Sequence, residues 1–325
     1  MKQILILALA GVVGLVACKK NKTPSPAPSP VTNNKLVVTV WNRSANTYYL
    51  YRYDTTGANP VLLMSKAFPN NSNYAAPYIS DDGKKVVYTS NDSLFMYDMA
   101  SAASTFIYKH ANNSFNAPAL NPDGSKIAFI ATEPSLSYRS NLYIINATPG
   151  ASPVNITNTS YAYWIGGGHF SSDGQKITYT IGYNADNAVY ISNIDGSNSM
   201  RISEPHGFGN SDNYPAFTTG NSRVIYMSSR YSGYNGPFDL VISDAAAGSE
   251  TSCTRLTTGA NFGVDYCAFP WVSKNGLSIY FIAVNTTANG AYNLYKMPVA
   301  GGTPVALTTN TDVNLIFCGV KEVKL

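Results

Sequence analysis

The residues best suited to acid–base chemistry or metal binding near neutral pH are three histidines. They are His110, His169 and His206, each in a different part of the chain, and His169 follows the run Gly166–Gly168. Metal sites usually show paired or clustered ligands, and these histidines share no such motif. We therefore expect them to make hydrogen bonds in loops. The sequence predicts no catalytic set, no metal site and no cofactor.

Acidic residues could instead hydrolyse a glycosidic bond, a reaction that needs two carboxyl groups flanking the bond. No spacing in the sequence selects such a pair. The acidic residues at plausible loop positions are Glu133, Asp186, Glu204, Asp212 and Asp265. A polysaccharide lyase or glycoside hydrolase is therefore the alternative, and not the main prediction.

Aromatic residues are the more prominent feature, since the chain contains 24 tyrosines. Flat rings interleaved with Asn and Gly suit a surface that stacks on sugar rings or holds an extended peptide, because rings provide contact area at a low entropy cost. The same rings could instead pack between neighbouring structural units. The candidate ligand-binding residues are Tyr74, Phe115, Tyr161, Tyr163, Trp164, His169, His206, Tyr214 and Tyr266.

These candidates lie between the strands of a repeated unit, which is clearest from Ala117 to Thr157. There a tight turn, Asn121–Gly124, precedes an apolar alternating stretch, Lys126–Ile130, and two further strands follow. Pro, Asp, Asn and Gly favour turns, whereas β-branched and aromatic residues favour strands. The unit is therefore predicted to be four antiparallel strands.

Six such units can be counted from the turn residue that precedes each second strand. The turn residues recur every 41 to 55 residues, and a further second strand begins near Leu36 without its own first strand. This period and four strands per unit are typical of a β-propeller blade. The turn residues are Gly83, Gly124, Gly174, Asn221 and Gly276.

The C-terminal segment Asp312–Leu325 has the length and composition to provide the missing strand beside Leu36–Trp41. Pairing the two ends of the chain would remove two free sheet edges. We predict an all-β, six-bladed β-propeller over residues 35–325, closed by its C-terminal strand and monomeric. Its longer loops share one face, so a ligand is expected on that face or at the mouth of the axial tunnel.

The N-terminus resembles a bacterial lipoprotein signal. Residues 1–17 have a positive start and an apolar run, and Leu15–Cys18 is similar to a lipobox, which implies lipid on Cys18. Residues 18–34 are rich in Pro and Ser, which predicts an extended tether. Lys19, and not Asp, comes directly after Cys18. In bacterial lipoproteins this feature implies the outer membrane. We expect anchoring in the cell envelope, with a periplasmic or surface-facing propeller.

An oxidising envelope compartment would allow at most one disulfide among Cys253, Cys267 and Cys318. We expect it between Cys267 and Cys318.

Charge excludes one class of partner. Only 12% of the residues are charged, and the Lys and Arg residues behind a net charge of +4 are scattered along the chain. Nucleic-acid binders concentrate these residues on one surface. The expected partner is an envelope protein or a glycan, with no nucleic acid.

The repeats resemble the WD40-like (PD40) repeats of the TolB family and of prolyl-oligopeptidase propellers. The resemblance rests on Pro118–Phe129, His169–Ile177 and Tyr226–Val241, and it covers roughly residues 36–325. It implies a propeller fold and, in the fifth unit, an ion pair between Arg230 and Asp239. No Gly-x-Ser-x-Gly motif occurs, and the 16 residues between Cys18 and Lys35 leave no room for the α/β domain that precedes the TolB propeller.

Related propeller lyases use inward histidines with a metal, so the resemblance also raises His169 and His206 as candidates for such a site.

Overall fold

The structure is a computed structural model, and its described part begins at the first strand of the propeller. The described residues are 34–67, 76–90, 92–109, 115–133, 139–159, 164–183, 186–203, 211–232, 237–246, 253–258, 264, 266–284 and 290–324. They contain no helix, so none of them belongs to an apolar helix of membrane-spanning length.

Strands account for all the regular structure in these ranges. They are β1 (Asn34–Asn42), β2 (Thr47–Asp54), β3 (Val61–Ala67), β4 (Tyr78–Ile79), β5 (Lys85–Ser90), β6 (Ser93–Asp98), β7 (Ala103–Lys109), β8 (Phe115–Leu120), β9 (Lys126–Glu133), β10 (Arg139–Asn146), β11 (Val154–Asn155), β12 (Trp164–Phe170), β13 (Lys176–Tyr183), β14 (Asp186–Asn193), β15 (Met200–Arg201), β16 (Asp212–Phe217), β17 (Arg223–Ser228), β18 (Asp239–Asp244), β19 (Thr254–Arg255), β20 (Tyr266–Val272), β21 (Ser278–Val284), β22 (Tyr292–Pro298), β23 (Val305–Ala306) and β24 (Leu315–Lys324).

In the described ranges these strands form six antiparallel sheets of four strands, the six blades of a β-propeller. Blade 1 has the order β24-β1-β2-β3, and blades 2 to 6 comprise β4–β7, β8–β11, β12–β15, β16–β19 and β20–β23. The predicted fold is therefore confirmed.

The hydrophobic core lies between the blades. Phe129 of blade 3 is fully buried in one cluster with Leu94 of blade 2, and Tyr226 of blade 5 is fully buried with Val189 of blade 4. Similar clusters join blades 3 and 4, 5 and 6, 6 and 1, and 1 and 2. Burying one such side chain contributes about 1.5–3 kcal/mol, so each blade is stabilised mainly by its two neighbours.

The ring closes between the two ends of the described chain. β24 pairs antiparallel with β1 from Asn34 opposite Lys324 to Asn42 opposite Leu315. One register shift lies between Thr39 and Val40. The predicted pairing of the C-terminal segment with the first blade is confirmed, and β1 begins at Asn34.

The outermost strands of blades 3 to 6 are only two residues long. A Ser or Thr hydroxyl then accepts the next N–H of the neighbouring strand in place of a carbonyl, as Thr157 does for Leu142 and Thr257 for Leu240. Short edges of this kind limit pairing with other chains.

The three described cysteines are free, so the expected Cys267–Cys318 disulfide is wrong. Cys267 packs into the cluster between blades 5 and 6, whereas Cys318 packs against Trp41 and Tyr48 between blades 1 and 2. The two thiols therefore face different blade interfaces. Burial raises the pKa of both thiols, that of Cys318 to about 12.

Candidate functional site

The innermost strands of the propeller share a local irregularity at one level of the axis. β8, β12, β16 and β20 each shift register near their centre, for example between Ala268 and Trp271 in β20. A proline lies inside the shift in three of them, where its missing N–H breaks the ladder. The residue before each of these prolines has positive φ. These residues are Ala117, Tyr214 and Phe269, with φ of 47°, 52° and 52°.

Positive φ at a non-glycine residue outside a turn costs on the order of 1–3 kcal/mol, and such strained positions cluster at functional sites. All three of these residues line one cavity of about 160 Å³, which opens on the side where the innermost strands begin, and we call it the upper cavity. Its wall is mostly apolar and includes Trp164, Gly166, Tyr214, Pro215, Phe269 and Pro270.

Two of the predicted ligand-binding aromatics lie in this wall. The Trp164 ring covers Gly166, and a Cβ at that position would overlap the ring. Tyr214 packs against Phe269 with ring centroids 4.2 Å apart. All three rings are half-buried, so each keeps a surface that a ligand could cover.

The other candidates lie elsewhere. Tyr266 packs edge-on against Phe238 of blade 5, with centroids 5.3 Å apart, so it joins blades. The side chain of Phe115 is outside the described residues, as are Tyr74, Tyr161, Tyr163, His110 and His206.

Below the upper cavity, one position in each blade forms a ring around the axis, which we call the axial ring. Its members occupy equivalent registers, as shown by Tyr78 opposite Val87, His169 opposite Thr178 and Lys321 opposite Val37. From blade 1 to blade 6 the axial ring is Lys321, Tyr78, Ala119, His169, Ala216 and Trp271.

The large members of the axial ring are in contact with one another. His169 lies against Trp271, with ring centroids 4.8 Å apart, and against Tyr78 at 5.8 Å. The Lys321 ammonium lies 4.2 Å from the centroid of the Tyr78 ring. Tyr78 and His169 line the upper cavity and also a second cavity on the opposite side. The axial ring is therefore a constriction between two cavities.

The second cavity, which we call the lower cavity, has a volume of about 310 Å³ and opens among the short turns. Its wall is more polar than that of the upper cavity. It includes Asp81, Ser172, Thr219, Asn221, Trp271 and Lys274.

Lys321 is the buried charge at the constriction, with only 4% of its surface exposed. Its Nζ lies 2.6 Å from Asp81 Oδ1 and donates a hydrogen bond of 2.9 Å to the carbonyl of Ile79. Burial lowers the pKa of Lys321 to about 8, although Asp81 opposes this shift. Burial, and next the charge of Lys321, lower the pKa of His169 to about 3. The imidazole is therefore neutral at neutral pH.

The acidic candidates with described side chains form ion pairs with arginines. Asp212, fully buried, lies 3.7 Å from Arg230, and Asp186 lies 3.3 Å from Arg201. The side chain of Glu133, with Glu204 and Asp265, is outside the described residues. Among described residues no three His, Cys, Asp or Glu side chains come within range of one metal ion.

Asp239, which the sequence pairs with Arg230, has Arg255 as its ion-pair partner at 2.6 Å. It also accepts a hydrogen bond from Thr257, two residues after the outermost strand of blade 5. The structure thus assigns Asp239 to the edge of blade 5 and Arg230 to Asp212.

Sequence reasoning missed Tyr78, Trp271 and Lys321. A signal for two of them was present, because Tyr78, Ala119, His169, Ala216 and Trp271 each lie five residues before the turn residue of their unit. Lys321 has no such turn, and only the pairing of β24 with β1 places it in the axial ring.

Comparison with known proteins places this architecture among solved propellers. No protein-family model matches the chain, and no curated protein is detectably similar in sequence. A structure described as TolB from Agrobacterium tumefaciens has a TM-score of 0.63 at 17% identity, over 85% of this chain and 89% of that one.

Two further solved structures show the range of proteins with this fold. An oligogalacturonate lyase in complex with manganese has a TM-score of 0.57 at 15% identity, over 84% of this chain and 78% of that one. A chain of a nidogen/laminin complex has a TM-score of 0.60 at 14% identity, over 89% and 98%. At these identities the likeness is one of fold, and the chain is a six-bladed β-propeller similar to that of TolB.

Proposed function

We propose that this protein is a lipid-anchored binding module of the bacterial cell envelope that holds a protein or glycan partner at its upper cavity. The observation that carries the proposal is the ring of half-buried aromatics, Trp164, Tyr214 and Phe269, around the mouth of an apolar axial cavity. Aromatic residues in such positions are the usual anchors of protein interfaces and of sugar stacking.

The backbone of the cavity wall supports the same proposal. The register shift between Gly166 and His169 contains Gly167, which is half-buried in the cavity wall and has its nearest neighbour, the Ala117 side chain, at 3.5 Å from a Cβ position. An extended segment or a sugar ring can therefore approach the main chain closely at Gly167. Prolines at positions 118, 215 and 270 stiffen the wall, which reduces the ordering entropy lost on binding.

Envelope attachment rests on the sequence around Cys18 and on the likeness of the fold to TolB. The oligogalacturonate lyase with a similar fold is the basis of the alternative proposal, an enzymatic activity. The described lining of the upper cavity is mostly aromatic, aliphatic, proline and glycine residues; its ammonium, that of Lys321, is paired with Asp81, and His169 at its base is neutral. Binding without turnover is the function that these groups support best.

The test compares capture by rim variants of the full-length protein, purified in detergent, from envelope extract and on a glycan array. Phe269→Ala and Trp164→Ala should each reduce capture of the same ligand at least tenfold, because each removes an anchor. Phe106→Ala is the matched control, since this ring is 48% exposed on the outer strand of blade 2.

Equal capture by the rim variants and by Phe106→Ala would contradict the proposal. Chemical turnover of a captured glycan would favour the enzymatic alternative.

A further inference from the structure

The lower cavity contains polar groups that the proposed function does not use. It lies on the opposite side of the axial ring from the upper cavity, and it is lined by His169, Trp271, Asp81 and Lys274.

Two groups at its inner end have unused hydrogen-bonding capacity among the described residues. The indole Nε1 of Trp271 is buried without an acceptor. His169 contacts rings in this part of the chain and has no hydrogen-bond partner there. A neutral imidazole has one N–H donor and one acceptor nitrogen, and a buried donor without an acceptor is unfavourable. A ligand with acceptor oxygens would satisfy both donors.

The ammonium at the cavity mouth favours an anionic ligand. The charged residues that line the cavity are Asp81 and Lys274. Asp81 is paired with Lys321 at 2.6 Å, so Lys274, at 4.0 Å, is the weaker partner of that carboxylate. Glu322 does not line the cavity; it is buried and accepts hydrogen bonds from the Lys274 backbone N–H and from Asn34. Asp82 is exposed on the turn and accepts from Ser80 and Lys84.

We propose that the lower cavity binds a carboxylate, from a small organic acid or from the end of a chain, between Lys274 at its mouth and His169 and Trp271 at its inner end. A carboxylate has two acceptor oxygens, as the two unused donors require, and its negative charge is attracted to the Lys274 ammonium.

The experiment follows the indole signals of the full-length protein labelled with ¹⁵N-tryptophan in detergent micelles. The chain has three tryptophans, so three indole signals are expected. The signal that disappears in Trp271→Phe belongs to Trp271. The probes are acetate, N-acetylglycylglycine and the amide of that peptide. We expect a saturable shift of the Trp271 signal with a free carboxylate, and a response at least tenfold weaker with the amide.

The Trp164 signal, on the other side of the axial ring, should remain unchanged. Saturation with acetate alone would indicate a small acid, whereas saturation only with the peptide would indicate a chain terminus.

Charge variants complete the test. Lys274→Gln should weaken carboxylate binding at least threefold, and Lys321→Met should also weaken it, because Asp81 in the cavity wall would lose its 2.6 Å counter-ion. Lys274 is a surface residue, so its replacement preserves the fold even if Lys321→Met does not. Equal shifts with acid and amide, no saturation, or unchanged affinity in Lys274→Gln would overturn the proposal. Because the probes bind below the axial ring, the outcome is independent of the upper-cavity variants.

Discussion

His169 is a histidine whose environment determines its charge. Tyr78 and Trp271 pack against its ring, and the nearest cation, Lys321, is held in place by Asp81. Protonating the imidazole would put a second positive charge beside Lys321 in a poorly solvated site. This arrangement explains why the pKa of His169 is about 3, far below its ordinary value.

The low pKa gives a testable pH dependence. Between pH 6.5 and about 4.5 the unfolded chain binds a proton at His169 that the folded chain does not, so the free energy of unfolding falls as the pH is lowered. The fall approaches about 1.4 kcal/mol per pH unit. Urea unfolding of His169→Gln should show a shallower dependence in this range. Lys274 keeps its charge throughout this pH range, so Lys274→Gln should show the same pH dependence of unfolding free energy as the unchanged protein. Equal pH dependence in all three proteins would contradict the low pKa of His169.

At the scale of the element, the register shifts near the centres of the innermost strands shape the wall of the upper cavity. β12 achieves its shift with three glycines, while β8, β16 and β20 use a proline after a residue of positive φ. Gly166 provides space for the Trp164 ring, which packs directly on it, whereas Gly168 provides space for Ile177.

Replacing Gly166 by Ala should therefore displace the Trp164 ring from the cavity wall. The cost in unfolding free energy should be about 1–2 kcal/mol, because the ring edge can move. The Trp164 indole signal should shift. Gly167→Ala is the matched control, since its nearest neighbour would be at an ordinary 3.5 Å. If both variants leave the indole signal unchanged, the packing described for Trp164 is wrong.

Strand positions could be predicted because they depend on local chemistry. β5, β9 and β13 begin at Lys85, Lys126 and Lys176 as predicted, each after a turn whose Gly has positive φ. A side-chain oxygen of Ser80, Asn121 or Ser171 accepts the N–H of that lysine and fixes the turn.

The axial ring could not be predicted in the same way, because its contacts join residues that are distant in sequence. Lys321 and the Ile79 carbonyl are 242 residues apart in sequence. The expected disulfide failed for a related reason, since spacing does not show which blade interface a cysteine faces.

At the scale of the whole molecule, stability depends on closing the ring. Phe317 of β24 is 4% exposed and packs with residues of blades 1 and 6. Phe317→Ala should cost about 3–5 kcal/mol of unfolding free energy. Phe106→Ala, on an outer strand, should cost less than about 1 kcal/mol. Comparable costs, measured by urea unfolding, would show that closure contributes little.

The proposed attachment to the envelope is also tested on the whole molecule. Cys18→Ser should abolish incorporation of labelled fatty acid in a bacterial host and should release the protein from the membrane fraction. Cys253→Ser is the control, and it should retain both the label and the fractionation. Lipid labelling that persists in Cys18→Ser would refute the proposed anchor.

The pairing of β1 with β24 also determines where the described chain begins and ends relative to the two cavities. Asn34 lies opposite Lys324, whose N–H donates to Asp81 in a short turn. The chain therefore enters the propeller on the side of the lower cavity. The aromatic rim lies at the other end of the axis. A ligand at the rim is therefore remote from both ends of the described chain, Asn34 and Lys324, whereas a ligand of the lower cavity is close to them.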